Sequence, residues 1–192
     1  MRAADPADCE GIGEVCAEAW RLGDGEHCPP EVLDEELDLR RDYWSMVGRR
    51  PNMLHTHFRG PVLVAEQAGQ FVGFITLGPD VGPPGASPVE RQDRRQVYSL
   101  YVDPATWGQG CAQALMAEAI ASLALRFPSA VLWTHATNAR ARRFFARSGW
   151  SETGNEGVDT WLDPVDHTYL HGQEFAVVEY GRTLSSSSQP IQ

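Results

Sequence analysis

The sequence contains no lysine, since all 16 of its basic residues are arginine. That excludes any chemistry built on a lysine amine. Cysteine is sparse, with four residues at positions 9, 16, 28 and 111. Their spacing gives neither a disulfide framework nor a paired C-x-x-C zinc site, so free thiols are expected. No apolar run approaches the roughly 20 residues needed to span a bilayer. The opening Met1-Arg2-Ala3-Ala4-Asp5 has no apolar stretch resembling a signal peptide, and a cytoplasmic protein with no membrane partner is expected. Positive charge is also scarce, because 26 acidic residues outweigh the arginines and leave a net charge of −10. Such a chain repels phosphate backbones, so nucleic acid is not expected as a partner.

What is present is enough apolar content, 42% of 192 residues, for one sizeable core. A single domain over residues 1–183 is expected, followed by a disordered tail over 184–192 that includes Ser185-Ser186-Ser187-Ser188. A homodimer is compatible with this reading.

The periodicities give an α/β order. After a short strand at Arg2-Ala3-Ala4, Ile12, Val15, Cys16 and Ala19 mark an amphipathic helix behind the capping candidates Asp5 and Asp8. Glu31 to Val47 reads as a second helix with Leu33, Leu37, Trp44 and Val47 inward. Val62–Glu66 and Phe71–Leu77 read as a hairpin. A long loop from Gly78 to Arg95, a candidate lid, leads into a strand over Gln96–Val102. Ala112, Leu115, Met116, Ala119, Ile120, Leu123 and Ala124 give a strong helix that ends before Pro128. A strand at Ala130–His135 follows, and then a helix from Asn138 to Ser148 closed by Gly149. The segment from Ser151 to Glu174 reads as loop-rich, with a last strand at Phe175–Tyr180.

The informative segment is Val102-Asp103-Pro104-Ala105-Thr106-Trp107-Gly108-Gln109-Gly110-Cys111-Ala112-Gln113, between a strand and the strong helix. A glycine-rich turn there delivers backbone N–H groups and the positive end of a helix dipole to one point, which suits a pyrophosphate. A dinucleotide fingerprint would need a glycine or alanine where Gln113 stands. A Walker A loop would need Gly-Lys-Ser/Thr, and no Gly-x-Ser-x-Gly elbow is present.

With Leu100-Tyr101-Val102-Asp103-Pro104 before it and Asn138-Ala139-Arg140-Ala141-Arg142-Arg143-Phe144-Phe145-Ala146-Arg147-Ser148-Gly149-Trp150 after it, this segment resembles the GNAT acetyltransferase family. The resemblance implies a mixed, twisted sheet of about six or seven strands, opened in a V around acyl-CoA and flanked by about four helices. It implies acetyl-CoA as co-substrate, no metal, and a small-molecule amine as acceptor. It also assigns cofactor binding to Leu100, Tyr101, Val102, Gly108, Gln109, Gly110, Cys111, Ala112, Gln113, Asn138, Arg143 and Phe145, with Arg140 and Arg142 as alternatives to Arg143 toward the coenzyme A phosphates. Trp107 stands where the family has Arg or Gln.

Two further departures bear on the chemistry. Trp133 occupies the position of a frequent base five residues before the Asn, and Phe145 that of the general-acid Tyr. His135 and Tyr98, each two residues beyond a usual base position on a strand, are the nearest replacements. The resulting expectation is an N-acetyltransferase, with a catalytically weak or inactive acyl-CoA-binding protein, a sensor or drug-sequestering module, as the alternative. Twelve of the first 39 residues are acidic, against Arg2 and Arg21, and 151–180 carries seven acidic residues and no basic one. That asymmetry favours a cationic acceptor, such as a polyamine-like or aminoglycoside-like compound, over an acidic amino acid. His55-Thr56-His57 and His167–His171 lack the partners of a recognised metal site.

Overall fold

Seven strands and five helices follow from these patterns in a computed structural model that describes residues 1–25, 28–50, 52–56, 60–84, 90–162 and 169–184. Within these, the side chains of 31–32, 55–56, 160–162 and 169–173 are left undescribed.

Strand β1 is Arg2–Ala3. Asp5 then caps a 3₁₀ turn over Pro6–Asp8, accepting from the Ala7 N–H at 2.7 Å, while Asp8 accepts from the Asp5 N–H at 2.8 Å. The turn feeds α1, Cys9–Gly23, whose stripe of Ile12, Val15, Cys16 and Ala19 is buried. Helix α2, Pro30–Arg49, begins on a proline, whose fixed φ suits a first turn, and it buries Leu37, Trp44 and Val47. A single turn, α3 (Met53–Thr56), follows it.

Strands β2 (Val62–Gln67) and β3 (Gln70–Asp80) form a hairpin whose two turn residues, Ala68 and Gly69, have φ of 52° and 78°. Positive φ at both positions matches the twist of the flanking strands. Strand β4 is Arg91–Val102 and runs antiparallel to β3. The expected loop from Gly78 to Arg95 is therefore corrected to 81–90. Pro79 is tolerated inside β3 because the strand has already passed its last β2 pairing at Thr76, so no strand on that edge needs the missing N–H. Asp80, fully buried, is then gripped by Arg91 at 3.2 Å and by Arg94. Residues 85–89, the centre of the expected lid, lie outside the described residues.

Helix α4 (Cys111–Ala124), strand β5 (Ser129–His135) and helix α5 (Ala139–Arg147) come next, as the periodicities predict. The segment expected to be loop-rich is instead two long antiparallel strands, β6 (Ser151–Leu162) and β7 (Tyr169–Thr183). Glycine and exposed polar residues hide β6 from any propensity argument. It is the edge strand, held by pairing with β7, which in turn pairs with β5. Leu184 is still buried at 5% exposure, and its N–H donates to Pro128 O at 2.8 Å. The rest of the expected tail, 185–192, lies outside the described residues.

The sheet order is β1-β2-β3-β4-β5-β7-β6, antiparallel except between β4 and β5. One core joins Ile75, Leu77, Val97 and Leu132 to Leu115 and Met116 of α4 and Phe145 of α5. On the opposite face Val62, Val64 and Phe74 meet Ile12, Val15, Trp44 and Val47 of α1 and α2. The alternation of Val62 and Val64 against Leu63 across the two cores is the period-2 pattern of a two-sided strand. The parallel β4–β5 pairing spans only Arg94–Val97 against Ser129–Leu132, after which the strands diverge. The open V sits there, as expected of a mixed, unclosed sheet.

Candidate active site

Two cavities meet at the mouth of the V, and Asp24 and Tyr101 line both. The first, of about 250 Å³, lies between the end of β4, the turn before α4, and the start of α5. Of the residues expected to hold the cofactor, Leu100, Tyr101, Val102, Gly108, Gly110, Cys111, Ala112, Gln113, Asn138 and Phe145 line it. Gln109 and Arg143 do not. The Gln109 side chain is turned back onto Ala105 O at 3.2 Å, and Arg143 is exposed on the far side of α5.

The turn owes its shape to Gly108 and Gly110, with φ of 80° and 90°, where a Cβ would meet no atom within 4 Å but would be strained. Gly110 gives α4 no side-chain cap. The N–H groups of Gly108, Gly110, Cys111, Ala112 and Gln113 make no hydrogen bond among the described residues. A row of orphan donors at a helix N-terminus beside an open cavity fits a pyrophosphate.

Trp107 takes a structural part here. Its Nε1–H donates to Val102 O at 2.8 Å, tying the turn to β4. The Arg140 guanidinium lies over its ring, 3.0 Å from the centroid. The arginine absent from the motif is thus brought in from α5, and Arg140 rather than Arg143 lines the cavity. The sequence leaves Arg140, Arg142 and Arg143 open as partners for the cofactor phosphates, and of the three only Arg140 lines this cavity. The neighbouring Arg142 is committed elsewhere, to Glu152 at 2.7 Å and Ala136 O at 2.9 Å. Burial raises the Cys111 thiol above its usual range, so it lines the wall as a neutral group.

The second cavity, of about 370 Å³, lies on the α1–α2 face and reaches β5 and β6. His135 sits on its wall, stacked on Phe175 with centroids 5.0 Å apart. Its Nδ1 is 3.0 Å from Asp24 Oδ1 and its Nε2 is 3.3 Å from Asp159 Oδ2. Burial alone would lower the imidazole's pKa, but hydrogen bonds and charge from Asp159 and Asp24 outweigh it and push it up to about 9. At neutral pH His135 is therefore a cation clamped by two carboxylates, not a free base.

Asp24 was not picked out from the sequence, although it is the carboxylate common to both cavities among the described residues. It is 8% exposed and also accepts from Asn138 Nδ2 at 2.9 Å. Asn138 caps α5 with its other atom, accepting from the Ala141 N–H at 2.9 Å. One signal was available. Asp24 is the C-cap of α1, where a carboxylate opposes the helix dipole and so needs another reason to be there.

Tyr98 lines the same cavity, but its hydroxyl donates to Pro79 O at 2.5 Å. It is the extra residue of a β-bulge, since Thr76 pairs with Ser99 and Leu77 with Val97. The bulge lies beyond the Gln96-to-Tyr98 step from which its face was inferred, and it separates Tyr98 from Leu100 and Val102 and places it with Tyr101. Burial pushes the Tyr101 phenol far above its ordinary range, so it can donate a proton in a hydrogen bond but does not ionise.

No group of three or more metal-binding side chains occurs among the described residues. His57 and His167, and the side chains of His55 and His171, lie outside them. Among the described residues no helix is long and apolar enough to cross a membrane.

Residues 20–150 match the Acetyltransferase (GNAT) family. The chain is also 36% identical over 162 residues to an uncharacterized N-acetyltransferase of Archaeoglobus fulgidus, covering 83% of this chain and 99% of that one. The chain belongs to the GNAT acetyltransferase family. Similar solved structures include the PaiA N-acetyltransferase of Thermoplasma acidophilum in complex with coenzyme A. It has a TM-score of 0.66 at 16% identity, with 95% of this chain and 96% of that one covered. A ribosomal-protein-alanine N-acetyltransferase of Brucella melitensis gives 0.60 at 22% identity, with 95% and 98% covered. YncA of Salmonella typhimurium, solved with acetyl-CoA, gives 0.59 at 21% identity, with 98% and 95% covered. At these identities the structures support the GNAT fold, and family membership makes the chain an acyltransferase.

Proposed function

We propose that the protein transfers the acetyl group of acetyl-CoA to a primary amine of a small, cationic molecule. The observation that carries this reading is the meeting of the two cavities at Asp24 and Tyr101. One is edged by orphan N–H donors suited to a pyrophosphate, and the other is lined by the carboxylates Asp24, Glu36 and Asp159. Acetyl-CoA supplies the thioester carbonyl when bound.

The turn at Gly108–Gln113 and Arg140 hold the anionic end of the cofactor. The edge of β4 beyond Val97, left without a β5 partner, is free to pair with an extended arm. On the other side Asp24 and Asp159 attract the ammonium form of the acceptor. Losing that proton at neutral pH costs on the order of 4 to 5 kcal/mol for an amine near pKa ~10.4. A cation entering beside protonated His135 repels it and lowers its pKa, so His135 gives up its own proton toward solvent along Asp159, whose side chain is 27% exposed, and the neutral imidazole left between Asp24 and Asp159 can then take the proton that the ammonium loses. Phe145 supplies no acid, but a thiolate of pKa near ~8.5 is protonated readily by water.

The test is release of free thiol from acetyl-CoA against a panel of amines. Turnover with cationic amines supports the reading. Turnover confined to anionic acceptors would reject it.

A further inference from the structure

Resting on that proposed reading, we infer that Asn138 is a positioning residue of the acceptor site. It holds one oxygen of Asp24 so that the other, Oδ2, receives the acceptor's ammonium, and it acts on the amine through Asp24 rather than on the cofactor.

Both halves of the Asn138 amide are committed. Its Oδ1 accepts from the Ala141 N–H at 2.9 Å and its Nδ2 donates to Asp24 Oδ1 at 2.9 Å. The amide cannot be turned over, because the flip would set its N–H groups against the Ala141 N–H and its oxygen against a carboxylate oxygen. One Nδ2–H is all that remains for any other partner. Although Asn138 lines the cofactor cavity, its side chain is taken up by α5 and by Asp24.

Asp24 needs such a hold. It ends α1, with its own N–H on Trp20 O at 2.8 Å, and there the helix dipole repels a carboxylate. Left to itself the side chain would turn away from the helix end into solvent. What turns it inward is a single four-residue turn. The Asn138 N–H donates to His135 O at 3.0 Å, closing residues 135–138, and the first and last side chains of that turn converge on one atom. His135 Nδ1 lies 3.0 Å from Asp24 Oδ1, and Asn138 Nδ2 donates to the same oxygen. His135 keeps a hydrogen on Nδ1 both as the imidazolium and as the neutral form that has released its proton toward Asp159, so this grip does not depend on its charge.

Asp24 Oδ2 is left. It accepts no hydrogen bond among the described residues. Nor is it sealed: the side-chain atoms among these residues that are both shut off from solvent and unpartnered are Thr76 Oγ1, Trp133 Nε1 and Trp150 Nε1. A partnerless carboxylate oxygen, on a residue only 8% exposed and lining both cavities, is where an ammonium N–H gains a charge-assisted bond. Fixing Oδ1 fixes the direction of Oδ2, and with it the point from which the amine nitrogen approaches the thioester.

The test uses Asn138→Ser, in which the serine hydroxyl keeps the cap of α5 while the donor to Asp24 is lost. Acetyl-CoA affinity is read by calorimetry. At saturating acetyl-CoA, kcat/KM is read by thiol release for the fastest of ethylamine, putrescine, spermidine and 2-phenylethylamine. The same substitution is made in Asp24→Ala, assayed at raised enzyme concentration. The expected result is an amine kcat/KM about tenfold lower for Asn138→Ser, an acetyl-CoA affinity changed less than twofold, and a cost below about twofold when Asp24 is already alanine. Acetyl-CoA binding weakened about tenfold, whatever the amine kinetics, would overturn the inference and return Asn138 to the cofactor while leaving the acetyltransferase reading intact. So would an unchanged amine kcat/KM, or a tenfold loss that persists in Asp24→Ala. A wild type that releases no thiol with any of these amines would reject the acetyltransferase reading itself, and the inference with it.

Discussion

Asp24 Oδ1 lies 3.0 Å from His135 Nδ1, joining the end of α1 to the end of β5 across the mouth of the V. Asp24 lines both cavities and His135 the second, so the pair stands at their boundary. Asp24→Asn keeps the shape and removes one charge. We expect kcat to fall by about 10² with the affinity for acetyl-CoA changed less than threefold. The His135 titration, followed by NMR, should move below its wild-type value of about 9. A purely structural Asp24 would lower stability and leave that titration where it is.

His135 also makes stability depend on pH. Its folded pKa of about 9 lies above its ordinary 6.5, so the stabilisation is fully present below pH 6.5 and is lost as pH rises through 9. The loss is about 3 kcal/mol at most. Urea unfolding at a series of pH values should show wild type weakening over this window and His135→Gln remaining flat across it. Parallel curves for the two proteins would contradict the clamp.

Cofactor affinity should depend on the turn before α4 and on Arg140. Gly110→Glu places a carboxylate at orphan N–H donors and strains a residue with φ of 90°. Calorimetry should find acetyl-CoA binding weakened by at least about 100-fold in a variant that still folds. Arg140→Ala, losing the guanidinium over Trp107, should raise KM for acetyl-CoA about tenfold. Arg143→Ala should leave it unchanged, and the reverse ranking of the two arginines would contradict the geometry.

At the closed base of the V, Arg94 pairs with Asp80 and, at 3.0 Å, with Glu179, which are 0% and 1% exposed. Glu179 also accepts from Thr153 Oγ1 at 2.7 Å and Asn155 Nδ2 at 2.6 Å. Arg94→Met would leave two buried carboxylates short of a partner and cost about 3 to 5 kcal/mol, measured by chemical denaturation. A cost below 1 kcal/mol would show that the network is not what holds β3, β4 and β7 together.

The parts of this molecule that show in the sequence are those set by local pattern. The apolar stripes of α1 and α4, the helix start at Asn138 and the Gly108–Gly110 turn each follow from residues close together in the chain. The lining of the first cavity was therefore legible almost whole. That of the second was not, because long-range contacts build it. Asp24 and Asp159 are 135 residues apart yet bond to opposite nitrogens of one imidazole. The bulge at Tyr98 shifts a face without changing composition, and β6 exists only because β7 pairs with it. His135 was found by strand alternation, but its charge depends on partners that alternation cannot supply.

Amine acetylation at the junction of the two cavities can be read in one assay, in which the protein is incubated with acetyl-CoA and a cationic primary amine while free thiol and the mass of the amine are followed together. Wild type should give stoichiometric thiol release and an N-acetylated product, with both suppressed about 100-fold in Asp24→Asn and in Gly110→Glu. Thiol release without acetylated amine, or full activity in either variant, would contradict it.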